Sequence, residues 1–118
     1  MIIPYFWNMK YSYYDGAGNN YEIKDLKLSY FPIKKEESSS GTYDGGIAYT
    51  KELTKLDLVK FVDVFERAIW TEKDHSAKRE MGCGTIRKYL MNDLVSQVYL
   101  RRNSSSMLEI DKMFVCKT

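Results

Sequence analysis

The sequence predicts an α+β fold: an antiparallel sheet of about five to seven strands with one long helix, residues 54–70, packed on one face. Three observations predict it. Short β-favouring segments rich in Tyr stand on both sides of the chain's centre. Gly- and Asn-bearing turn signals separate them. Between them lies a single stretch whose apolar residues recur at helical spacing.

The first strand is "MKYSYY" at 9–14, which alternates and runs into the turn "DGAGNN". "YEI" and "LKLSYFPI" continue as strands, with Pro32 marking an edge or an end. "KKEESSSGTYDGG" at 34–46 is a mixed charge block followed by residues that suit neither helix nor strand, and "IAYT" resumes the sheet. In "TKLDLVKFVDVFERAIW", Thr54 is placed to cap a helix with Asp57 three residues on. Leu58, Phe61, Val62, Phe65 and Ile69 form its apolar stripe. "TEKDHSAKRE" reads as a weak helical extension or a loop. "TIRKYLM", "LVSQVYLRR" and "MLEIDKMFVCK" read as three further strands, joined by Asn92-Asp93 and by "NSSS" at 103–106.

At 118 residues the chain predicts one domain, 1–118, able to bury a core without a metal or disulfide staple. With 44% hydrophobic and 29% charged residues it is not a disordered chain. Cys83 and Cys116 are too few for a disulfide framework and lack C-x-x-C spacing, so free thiols in a reducing compartment are expected. "MIIPYFWNMK" lacks the basic region and cleavage site of a secretory signal, and no segment reaches the apolar length of a membrane span. The expectation is a cytoplasmic protein that does not enter the membrane. Ten tyrosines are explained first by sheet propensity and second by a contact surface.

Candidate chemistry is sparse. His75 and Cys83 could form a thiol–imidazole dyad, but no hydrolase signature or orienting group accompanies them. One His and two distant Cys do not make a zinc site, and "DGAGNNYE" lacks the spacing of a calcium loop. No metal and no cofactor is expected. "MGCGTIRK" has neither phosphate-loop spacing. "SSSGTYDGG" could form an anion nest from Ser39, Ser40, Gly41 and Tyr43 with charge from Lys35, and Cys83 would join through its turn. A long hairpin loop explains the same residues more simply. Basic pairs occur at Lys34-Lys35, Lys78-Arg79, Arg87-Lys88 and Arg101-Arg102, with Tyr89 and Tyr99 interleaved. Adjacent strand residues face opposite ways, so each pair gives one charge per face. With a net charge of only +2 and no RNA-binding motif, nucleic acid is disfavoured as a partner.

"YSYYDGAGN" resembles one unit of the tyrosine–aspartate repeats of large bacterial surface and toxin proteins, whose shell one copy cannot build. More widely, "YYDGAGNNYEI", "YFPIKKEESSSGTYDGG", the amphipathic helix and "MGCGTIRKYL" resemble a family of small uncharacterised bacterial proteins. That resemblance implies no activity, cofactor or catalytic residue.

The expected function is therefore non-enzymatic: a binding or accessory protein acting through a Tyr-bearing sheet face or edge on another protein, or on itself as a homodimer, as small antitoxin-like or immunity-like proteins do, although no residue identifies one of these. The alternative is a small-ligand or anion-binding protein or an enzyme using the 38–46 loop and the Gly82-Cys83-Gly84 turn. A pocket shared by those two segments would favour the second; an exposed aromatic patch would favour the first.

Overall fold

The computed structural model describes residues 9–38, 40–42 and 44–117. Its strands are β1 (Met9–Tyr14), β2 (Asn20–Lys24), β3 (Lys27–Phe31), β4 (Tyr49–Glu52), β5 (His75–Ser76), β6 (Gly84–Leu90) and β7 (Asp93–Leu100). They form one antiparallel sheet in the order β4-β3-β2-β1-β6-β7-β5. The helices are α1 (Lys55–Trp70) and α2 (Ser105–Lys117). This is the expected α+β architecture, with one long helix and a second, shorter one.

Turn chemistry fixes the register. The Asp15 carboxylate accepts from the amides of Ala17 and Asn19, both at 2.9 Å, and so closes the β1–β2 turn. Two-residue turns with positive φ at Asp25-Leu26 and at Met91-Asn92 join β2 to β3 and β6 to β7. The second turn thus falls one residue earlier than the Asn92-Asp93 expected.

Helix α1 begins as the sequence indicates. The Thr54 hydroxyl accepts from the Asp57 amide at 3.0 Å, and the Asp57 carboxylate accepts from the Thr54 amide at 3.3 Å. Its buried line is Phe61, Val64, Phe65 and Ala68, flanked by half-buried Leu58, Val62 and Ile69. The polar stretch that follows is neither helix nor plain loop: a 3-10 turn at Glu72–Asp74 leads into the short strand β5.

One expectation is overturned. "MLEIDKMFVCK" is not a strand; it lies in helix α2. Met107, Ile110 and Phe114, spaced by three and then four residues, are all buried on one side. "NSSS" is accordingly not a hairpin turn. The Ser104 hydroxyl accepts from the Met107 amide at 3.3 Å, as a helix N-cap does. The Asp74 carboxylate also accepts from the Ser106 amide at 3.0 Å and from its hydroxyl at 2.6 Å. The Ser106 hydroxyl bond, with the amide, holds the Asp74 carboxyl below its ordinary range.

Both helices pack on the same sheet face. Tyr11, Tyr13, Ile23, Leu28, Ile86 and Leu100 meet the buried residues of α1 and α2 there. Phe114 is central: its ring lies 4.1 Å from Tyr21, 5.2 Å from Phe61 and 5.8 Å from Tyr13. Tyr13, Tyr21, Tyr30 and Tyr49 are in register across β1 to β4 and form a ring ladder. Much of the tyrosine excess is thus core and sheet material. Two of the buried hydroxyls are bonded, Tyr11 donating to Glu66 at 2.5 Å and Tyr13 to Asp111 at 2.6 Å, while that of Tyr49 has no partner among the described residues. Arg67 links the helices through a two-pronged bond to Glu109, at 3.0 and 2.9 Å. Among the described residues, no helix is long and apolar enough to cross a membrane.

Candidate binding surfaces

Because strand side chains alternate, the face opposite the helices is set by register. Among the described residues no helix covers it. One row across it reads Glu52, Lys27, Lys24, Lys10, Tyr89, from β4 through β3, β2 and β1 to β6. A second reads Ser29, Glu22, Ser12, Arg87, Gln97, and a third Phe31, Asn20, Tyr14, Thr85, Tyr99.

Three lysines directly opposite one another repel, which weakens a sheet. None of them forms an ion pair among the described residues. Lys10 and the neighbouring Arg87 lie instead on aromatic rings. Lys10 Nζ stands 4.4 Å above the Tyr89 ring, and the Arg87 guanidinium 5.4 Å from that of Tyr14. Arg87 Nε also donates to Gln97 at 2.8 Å, and Gln97 donates to the Tyr99 hydroxyl at 3.1 Å. A hollow of about 210 Å³ lies among Tyr14, Arg79, Thr85, Arg87 and Tyr99.

The helix side carries a different surface. A groove of about 370 Å³ between the end of α1 and strand β7 is walled by Ile69, Trp70, Val95 and Val98. Trp70 is 77% exposed, and Val95 on the same groove is exposed as well. The groove also holds Glu66, which receives Lys88 at 2.7 Å. Burial alone would push the Glu66 carboxyl up, but the bonds from Lys88 and Tyr11 outweigh it and hold the group below its ordinary range. His75, on the same groove, has Nε2 at 2.8 Å from the Ala68 carbonyl oxygen.

The residues singled out in the sequence are placed as follows. Ser39 and Tyr43 lie outside the described residues. Lys35 opens an exposed 3-10 turn, Ser40 Oγ bonds Thr42 Oγ1 at 2.8 Å, and the Gly41 amide donates to Ser38 at 3.1 Å. Cys83 is buried and its sulfur accepts from the Glu80 amide at 3.4 Å, so Cys83 and His75 have different partners. The Cys116 side chain lies outside the described residues.

Among the described residues the two segments do not share a pocket. A hollow of about 560 Å³ at the Gly82 turn is lined by Asp15, Tyr21, Arg102, Asp111 and Phe114, with no described residue of 38–46. The depression beside the loop is lined by Phe31, Pro32, Ile33, Lys34, Asp44, Gly46 and Ala48. The β1–β2 turn separates them, packed so closely that a Cβ on Gly16 would stand 2.7 Å from the Gly82 carbonyl oxygen. Burial pushes the Asp111 carboxyl up despite the bond from Tyr13.

Sequence reasoning missed the lysine row because Lys10, Lys24 and Lys27 sit on three strands and form no basic cluster in the chain. Trp70 was legible only as the end of the helix pattern. No protein-family model matches the chain, and no curated protein and no solved structure shows significant similarity to it.

Proposed function

We propose that this is a non-catalytic binding protein acting through contact with another protein, and that the contact is centred on Trp70. The observation that carries this reading is an indole 77% exposed at the lip of a groove whose wall includes Ile69, Val95 and Val98, with Val95 itself exposed. The Trp70 side chain bonds Glu66 but leaves most of its ring in water, and tryptophan is among the side chains most enriched at the energetic centres of protein interfaces. Lys88 and Glu66 in the groove pair with each other, and Ile69, Val95 and Val98 give a partner an apolar wall to desolvate.

The test compares Trp70→Ala with wild type and with Val59→Ala, another exposed apolar change on α1. All three should melt alike, since surface substitutions change stability by about 0.5 kcal/mol or less. The purified partner, or self-association measured by sedimentation, should weaken by roughly 30-fold or more in Trp70→Ala alone. Unchanged association in Trp70→Ala refutes the reading.

A second reading, a small-ligand protein, is favoured by one observation: the hollow where half-buried Asp111 stands near Tyr21 and Arg102. Small molecules whose binding perturbs Gly82 and Asp111 resonances would support it over the protein contact.

A further inference from the structure

The face opposite the helices carries chemistry that the Trp70 contact does not use. We infer that it binds single-stranded nucleic acid, independently of the protein contact proposed above.

The first argument is charge. Lys27, Lys24 and Lys10 follow one another across three neighbouring strands on one face, and Arg87 and Arg79 stand further along. At about 4.8 Å per strand the lysine Cα atoms span roughly 10 Å. Glu22 is the one acid among them on the inner strands, and Glu52 closes the row at β4. Such a row costs stability by cross-strand repulsion. A phosphate backbone running along it removes that repulsion.

The second argument is ring geometry, and it separates nucleic acid from an acidic protein. Tyr14 and Tyr99 each stand directly across from Thr85 in register, on the strands either side of it. The small residue between them sets the two tyrosines two strand spacings apart, about 9.6 Å, over a floor that is 4% exposed beneath Arg87. A flat ring in contact with a ring on each side needs about 7 Å, twice the optimal carbon–carbon separation. The hollow of about 210 Å³ lies between the two tyrosines, with Arg79 and Arg87 on its rim. A base stacks here when the Arg87 guanidinium, which stands 5.4 Å from the Tyr14 ring, swings off it to meet the phosphate; a carboxylate side chain has no use for the rings. Gln97, bonded to the Tyr99 hydroxyl, holds the other wall in place before anything binds.

The arrangement also answers the objection that each basic pair gives one charge per face. Lys88 does turn to the helix side, where it bonds Glu66, and Arg101 leaves the sheet to bond the Lys73 carbonyl. The lysines that replace them come from other strands.

The experiment is fluorescence anisotropy with labelled oligo(dT) and oligo(rU) of about 12 nucleotides, within the usual range of single-strand site sizes. It also uses a mixed-sequence strand, the duplex it forms, and polyglutamate as competitor. Wild type should bind the single strands more tightly than the duplex, with affinity falling as salt rises. The variant Lys24→Glu/Lys27→Glu changes two exposed side chains and folds normally; it should lose about 30-fold in affinity and flatten the salt slope by about 1.4, at 0.7 per phosphate contact. Lys55→Glu/Lys60→Glu changes net charge equally on the other side and should lose less than about threefold. Tyr14→Leu and Tyr99→Leu should each cost about tenfold, the loss of one stacked base. No binding by wild type overturns the inference. So do equal losses in the two double variants, or duplex bound as tightly as single strand. Polyglutamate displacing the strand at equal charge would assign the face to an acidic protein and would equally overturn it.

Discussion

Phe114→Ala tests whether the second helix belongs to the core. Phe114 is 1% exposed, and its ring touches residues from two strands and from α1. Truncating a fully buried Phe costs about 3 to 5 kcal/mol, from lost transfer energy and the cavity left behind. A domain of this length has a stability of roughly 6 to 18 kcal/mol, so the variant loses a large share of it. With an unfolding entropy near 0.25 kcal/mol/K, the melting temperature should fall by about 12 to 20 °C. In urea, with a slope near 2 kcal/mol/M, the midpoint should fall by about 2 M at unchanged slope. Leu108→Ala, an exposed change on the same helix, should stay within about 0.5 kcal/mol. Since Phe61 and Phe114 lie 5.2 Å apart, the double variant with Phe61→Ala should fall short of additivity by about 1 kcal/mol. A loss below about 1 kcal/mol in Phe114→Ala would show that α2 does not share the core, and the packing argument would fail.

Three other outcomes follow. Burial raises the Asp111 carboxyl above its unfolded value, so the folded protein holds that proton more tightly. The group therefore favours folding below its unfolded pKa of about 3.9 and works against it as pH rises through the folded value. Asp111→Asn keeps an acceptor for the Tyr13 hydroxyl, so it should melt higher than wild type at pH 7, and the advantage should vanish near pH 3; a lower melting temperature at pH 7 would contradict this. Deleting residues 38–40 from the exposed loop should be nearly neutral, because loop closure changes by only about 0.6 kcal/mol per doubling of length. Sulfate should raise the melting temperature of wild type and of Lys35→Ala/Ser39→Ala/Ser40→Ala equally, by exclusion from the surface; a larger rise in wild type would establish an anion nest there.

The sequence by itself determined what short-range physics determines. Asp15 at the first turn, the Thr54 and Asp57 cap, and the spacing of Phe61 and Phe65 act within a few residues, so the strands and α1 are readable locally. The same locality explains the failure at α2. "MLEIDKMFVCK" satisfies a period of two as well as one of 3.6, and the Ser104 cap resembles a turn until the partner of Phe114 is known. Only tertiary structure supplied that partner, in Phe61 and Tyr21. Function depended on it still more. The alternation of β1 says that Lys10 and Tyr14 share a face, but not that Lys24, Lys27 and Tyr99 join them. That is fixed by which strands pair and in what register, and strand order is set by the whole core rather than by any segment. The exposure of Trp70 was decided in the same way: helical spacing places it one residue beyond Ile69, and only the position of β7 leaves its indole at the lip of a groove.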